Sequence, residues 1–213
     1  MGRFDLVIFD CDGVLVDSER LAIRTEAEIL FGLGWPLTES EIVERFVGRS
    51  ASYMHQVIKE HLGRPVDWES EFEARYEEVF THELLPVPGV PEVVRRLTIP
   101  MCVASSGSHE KMRFTLGLTG LLDVFGERLF SVDEVENGKP APDVFLYAAE
   151  KMGVSPDRCA VVEDSVSGVT AGLASGMAVF AYAGGVTNAE RLSIGSAVVF
   201  ADMHVLPGLL TGD

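Results

Sequence analysis

Two aspartates two residues apart, Asp10 and Asp12, stand between the apolar run Phe4-Asp5-Leu6-Val7-Ile8-Phe9 and Gly13. Carboxylates in this arrangement suit phosphoryl transfer: one attacks phosphorus to form an aspartyl-phosphate that water later cleaves, and the other moves protons. Taken alone, the fragment reads equally well as a turn at Asp12-Gly13 with Asp10 capping a helix. Three more polar sets accompany later apolar runs. Ser105, Ser106 and Gly107 follow Met101–Ala104, Lys139 sits in Gly138-Lys139-Pro140 ahead of a helix, and Glu163-Asp164-Ser165 follows Cys159–Val162. Each has a plain alternative: serines capping a helix that starts near His109, a solvated lysine, or acids favoured by a helix dipole.

Together these residues match what phosphoryl transfer demands, which is positioning and stabilisation of charge on three equatorial oxygens. An aspartate attacking an anion needs a cation beside it, and magnesium, with its preference for oxygen ligands, fits an acidic set. Asp10, Asp12 through its backbone carbonyl, and Asp164 with or without Glu163 form the expected Mg2+ site. Lys139 is expected to hold the phosphoryl oxygens and balance the clustered acids, while Ser105, Ser106 and nearby backbone N–H groups donate to the same oxygens. Asp12 is then the expected general acid and base.

Such a constellation needs a scaffold that delivers several loops to one edge. The run at 4–9 is apolar at nearly every position, as in a strand buried on both faces, and similar runs recur at 101–104, 159–162, 178–181 and 197–200. Strands alternating with helical stretches predict an α/β fold: a doubly wound, Rossmann-like, mostly parallel sheet whose ligands bind beyond the carboxyl ends of the strands. Between Asp17 and Leu84 the pattern changes to charged amphipathic stretches, Glu19–Phe31, Glu39–Phe46, Tyr53–Leu62 and Trp68–Glu83. The expected organisation is therefore a core of residues 1–16 and 85–213 with an all-helical cap inserted at 17–84.

The 213 residues carry 33 acidic and 17 basic side chains, a net charge of −16. That field repels nucleic acid and anionic membranes, so neither is expected as a partner. No apolar run approaches the roughly 20 residues of a membrane span, and the short, acidic N-terminal run is unlike a secretory signal, so a cytoplasmic protein is expected. Cys11, Cys102 and Cys159 fit neither a disulfide framework nor a zinc site and read as reduced structural residues.

The segments D-C-D-G-V-L-V-D-S-E (10–19), V-A-S-S-G-S (103–108), G-K-P-A-P-D-V-F (138–145) and V-V-E-D-S-V-S-G (161–168) resemble, in order and spacing, the four motifs of the haloacid dehalogenase superfamily. The resemblance runs along essentially the whole chain. It implies Asp10 as nucleophile and metal ligand, Asp12 as acid–base, Ser105 and Lys139 as phosphate binders, and Glu163 with Asp164 as metal site. A helical insertion after the first motif is similar to the cap of the branch containing β-phosphoglucomutase and phosphoglycolate phosphatase. The founding dehalogenases lack the second aspartate, so Asp12 points to phosphoryl transfer.

In the mutase a histidine follows the first motif; Ser18–Ile23 has none here, which favours hydrolysis. A sugar-phosphate mutase and a non-catalytic magnesium- or phosphate-binding module remain the alternatives. Pro100–Val103 and Glu110–Met112 resemble bacterial sugar-acid phosphatases, making a small sugar or sugar-acid phosphate the expected substrate. A cap that closes over the core is expected to set specificity. Arg49, in Gly48-Arg49-Ser50, is the candidate contact to a carboxylate or second phosphate, or else a solvated helix-end residue. A monomer or weak homodimer is expected.

Overall fold

The computed structural model describes residues 3–47 and 51–212; Arg49 lies outside the described residues. Among these, six parallel strands form one sheet in the order β3-β2-β1-β4-β5-β6. They are β1 (Leu6–Phe9), β2 (Met101–Ser105), β3 (Leu129–Ser131), β4 (Cys159–Glu163), β5 (Ala178–Tyr182) and β6 (Val198–Phe200). The first strand is central: Ile8 stands opposite Cys102 on one side and Val161 on the other. All four of its residues are buried, which is why the run is apolar at every position rather than alternating.

Alternate residues of β1 serve opposite faces of the sheet. Leu6 and Ile8 join a core built with Val144, Phe145 and Ala148 of α8 (Asp143–Met152) and Val169 and Ala171 of α9 (Val166–Ala174). On the other face Phe9 meets Phe125 edge to face, 6.1 Å between centroids. Phe125 belongs to α7 (Leu122–Phe125), which follows α6 (His109–Leu118). Helices on both faces make the sheet doubly wound, as the strand and helix alternation predicts. One strand, β3, goes beyond the sequence reading. It is a three-residue edge strand with a single ladder partner, and although Leu129 and Ser131 are buried, Leu-Phe-Ser is too short an apolar run to mark it. The helices α5 (Val90–Arg96), α10 (Ala189–Leu192) and α11 (Leu206–Thr211) complete this part.

Residues Ser18–Leu84 form a separate compact unit. Its elements are α1 (Ser18–Gly32), α2 (Glu39–Phe46), α3 (Ala51–Leu62) and α4 (Ala74–Glu83), with no strand among the described residues. Thr38 starts α2 with a capping box: its side chain accepts from the Glu41 N–H, and Glu41 accepts from the Thr38 N–H. The stretch before α4 departs from the regular helix expected over 68–83, because Glu69–Glu73 is a π-helical turn. Aromatic residues recur every four positions there, at Trp68, Phe72, Tyr76 and Phe80, each in ring contact with the next. A spacing of four drifts by about 40° per step on an α-helix. A wider i→i+5 turn swings the rings back into one stripe. Among the described residues no helix is long and apolar enough to cross a membrane.

Candidate active site

At the carboxyl end of β1, Asp10 continues the sheet by donating its N–H to Val162 O at 2.9 Å, which holds its side chain where strands β1 and β4 end. Lys139 arrives from the loop before α8 and places Nζ 2.6 Å from Asp10 Oδ1, 2.8 Å from Glu163 Oε1 and 3.2 Å from Ala104 O. An ammonium has three protons, and these are three acceptors. Its side chain is 3% exposed and stands 4.8 Å from the Phe145 ring centroid. Burial drives the Asp10 carboxyl up to about 7, with Lys139 pulling it down and Glu163 pushing it further up. Burial also works against the Lys139 charge, but Asp10 and Glu163 outweigh it and hold its pKa above the ordinary lysine value.

Glu163 has a second task. Its Oε2 accepts from Ser165 N at 2.8 Å and Ser165 Oγ at 2.9 Å, while Ser165 caps α9 through the Gly168 N–H. A Cβ at Gly168 would lie 1.6 Å from Glu163 Oε1, so only glycine lets the carboxylate lie against the first turn of that helix.

Asp12 sits in the loop that leaves β1. Gly13 adopts φ 75° and donates to Val16 O at 2.8 Å, closing a tight turn. Chain leaving and chain returning are laced together: Asp17 donates to Leu85 O and Val87 to Leu15 O, each at 3.0 Å. Lys111, which the sequence reading leaves without a role, places Nζ 2.7 Å from Asp12 Oδ2. A signal was present in its position. Helical side chains tilt towards the N-terminus, so a lysine in the first turn of α6 runs back over the loop that precedes the helix.

Of the two serines, Ser105 is buried and accepts from the Gly107 N–H at 3.0 Å, whereas Ser106 is exposed on the loop. Ser131 donates from Oγ to Gly107 O at 2.8 Å, tying this loop to the end of β3. The structure therefore brings together Asp10, Lys139, Glu163 and Asp164, with Asp12 and Ser105 on the adjoining loops. Cys11, Cys102 and Cys159 are free and buried.

Asp10, Glu163 and Asp164 each offer a carboxylate oxygen, all within 4.8 Å of one another and all in buried residues. An all-oxygen donor set suits a hard divalent cation such as Mg2+. The loops leave room for it. A Cβ at Gly13 would lie 2.0 Å from Asp164 Oδ2, and one at Gly185 3.4 Å from the same oxygen, so two glycines flank this carboxylate. The residues present fit the metal.

Comparison with known proteins agrees with this geometry. The model of the haloacid dehalogenase-like hydrolases matches residues 4–176. A 6-phosphogluconate phosphatase of Escherichia coli K12 is 34% identical over 183 residues, covering 84% of this chain and 83% of that protein. A phosphorylated carbohydrates phosphatase of Thermotoga maritima is 32% identical over 81% of this chain and 82% of its own. A crystal structure of a hydrolase of the same family from Deinococcus radiodurans, with bound phosphate and sodium, superposes with a TM-score of 0.86 at 30% identity, covering 100% of this chain and 97% of that one. Sequence, fold and the strand-end cluster of acids around one buried lysine agree, and the chain belongs to the haloacid dehalogenase-like hydrolases.

Proposed function

We propose that the protein is a Mg2+-dependent phosphatase that hydrolyses a small phosphorylated metabolite, a sugar or sugar-acid phosphate, through an aspartyl-phosphate on Asp10. The observation that carries this reading is the buried Asp10–Lys139–Glu163 bridge beside Asp164 at the end of a parallel sheet. A purely structural bridge has no need of a third, adjacent acid.

In this mechanism an Asp10 oxygen attacks phosphorus as the ester oxygen leaves, and Asp12 gives that oxygen its proton. Asp12 then takes a proton from water, whose oxygen attacks the phosphorus, breaking the bond to Asp10 and releasing inorganic phosphate. Lys139 offsets the charge of Asp10 as the dianion approaches, and Ser105 with the N–H groups of the 106–108 loop holds phosphoryl oxygens. Mg2+, held by Asp10, Asp164 and the Asp12 carbonyl with Glu163 adjoining, would supply positive charge for the equatorial oxygens. The helical unit, inserted directly after the first loop, provides the substrate specificity, with Arg49 as a candidate contact.

Names of relatives that act on 6-phosphogluconate and on phosphorylated carbohydrates support the substrate class. The test is release of inorganic phosphate from a panel of sugar and sugar-acid phosphates, with Asp10→Asn and chelator as controls. Release that both controls abolish supports the reading. An isomeric sugar phosphate accumulating without phosphate would replace it with a mutase, and tight binding without turnover would replace it with a binding module.

A further inference from the structure

Resting on the phosphatase reading, we propose that Lys111 is a positioning residue for Asp12, holding the proton-transferring carboxylate in its working orientation from a separate element. Asp12 stands in the loop beyond β1, bridged to Val16, with its side chain 22% exposed, so its carboxylate reaches the open side of the site. The 2.7 Å bridge from Lys111 Nζ to Oδ2 restrains that carboxylate, and a charge-assisted bond of that length is directional as well as attractive.

The lysine is itself braced. Ser108 caps α6 by accepting from the Lys111 N–H at 3.2 Å, and Thr115 Oγ1 donates to Lys111 O at 3.0 Å, which fixes the turn that carries the side chain. Its stem crosses the face of Gly107, where a Cβ would come within 3.3 Å of Lys111 Cδ and 3.9 Å of Asp12 Oδ2. Gly107 also donates to Ser105 Oγ, so the loop expected to hold phosphate and the stem that reaches Asp12 share one glycine. Lys139 belongs to the opposite, buried side and makes no bond to Asp12 among those described. The two lysines thus divide the site, one serving the nucleophile and one the proton carrier.

A stabilising role for the bridge is the lesser explanation, because the Lys111 side chain is 47% exposed and surface ion pairs add little to stability. Lys111→Met keeps the apolar stem over Gly107 and removes only the ammonium. General acid–base catalysis contributes about 10²–10⁴-fold, and loose positioning forfeits part of it. On a sugar phosphate, kcat of the methionine variant is expected to fall about 10- to 100-fold with KM nearly unchanged and the melting temperature within about 1 °C. On p-nitrophenyl phosphate, whose leaving group needs no proton, the loss in the pre-steady-state burst of p-nitrophenol should shrink to a few-fold, because only the later water step still calls on Asp12, and Lys111→Arg should recover part of the lost rate on the sugar phosphate.

Equal losses in the burst of leaving group from both substrates, a change confined to KM, or wild-type rates would each overturn the role assigned to Lys111. Wild-type protein that releases no phosphate, or an Asp10→Asn variant as active as wild type, would overturn the phosphatase reading and this proposal with it. The two failures are therefore distinct.

Discussion

The strand-end cluster of the sheet unit and the ion pairs of the helical unit use the same chemistry, a basic side chain against a carboxylate, in opposite surroundings. In the helical unit Arg75 bonds Glu78 at 2.6 Å with side chains 41% and 60% exposed, Arg24 bonds Glu83 in a similarly open setting, and Arg64 pairs with a partly covered Glu71. In the sheet unit Lys139, Asp10 and Glu163 are 3%, 11% and 1% exposed. Water screens the first kind of pair and makes it nearly neutral in energy. Burial makes each member of the second kind depend on the others, because an ion left alone in the interior carries its whole desolvation cost. What breaking a charge pair is expected to cost therefore depends on where the pair is buried rather than on how many pairs there are.

Removing the buried cation tests that contrast most severely. Lys139→Met leaves Asp10, Glu163 and Asp164 facing one another, and urea denaturation at neutral pH should show a loss of about 3–5 kcal/mol, with turnover lost as well. Gly13→Ala strikes the same cluster from the backbone, since the new methyl meets Asp164 Oδ2 at a φ of 75°. Mg2+ affinity read by isothermal titration is expected to fall about 10- to 100-fold, while inorganic phosphate still protects the chain from thermal unfolding.

The helical unit also holds a half-buried acid, Glu26, whose Oε1 accepts from the Tyr76 hydroxyl at 2.8 Å. Burial raises its pKa to about 7. Because that value lies above the unfolded one, the folded state keeps its advantage below about pH 4.5 and loses it as pH rises through 7. Glu26→Gln preserves an acceptor for Tyr76 and should stabilise the protein by about 1–3 kcal/mol at pH 8, with the gain disappearing near pH 5 in paired melts. At the small end, Arg75→Ala breaks two exposed pairs, to Glu78 and Glu28, and should leave the denaturant midpoint unmoved. A large shift there would erase the distinction between the two units.

The fold was legible where its signals are local. An apolar run marks β1, β2, β4 and β5, which are buried along nearly their whole length, and it marks β6 too, although that edge strand leaves Val198 exposed. The edge strand β3, three residues long and paired on one side, carries no such mark. The π-turn at Glu69–Glu73 is readable only in hindsight, from aromatic residues repeated every four positions.

Legibility in the site divides along the same line. Asp10-Cys11-Asp12-Gly13 and Glu163-Asp164-Ser165 announce themselves because strand end, acid and turn are consecutive in the chain. The sequence by itself thus determined the α/β alternation, the carboxylates that follow β1 and β4, and the helical character of the inserted segment, since period and turn chemistry act over a few residues. Gly138-Lys139-Pro140 put Lys139 among the site residues, but tertiary structure decided that its ammonium, 129 residues from Asp10 and 24 from Glu163, bridges those two carboxylates. It also decided that Lys111 reaches across 99 residues to Asp12, and that of two adjacent serines only Ser105 turns inward. A lysine on a helix or loop looks the same in sequence whether its charge meets water or a buried acid. Only the sheet, by bringing distant strand ends to one edge, makes that choice.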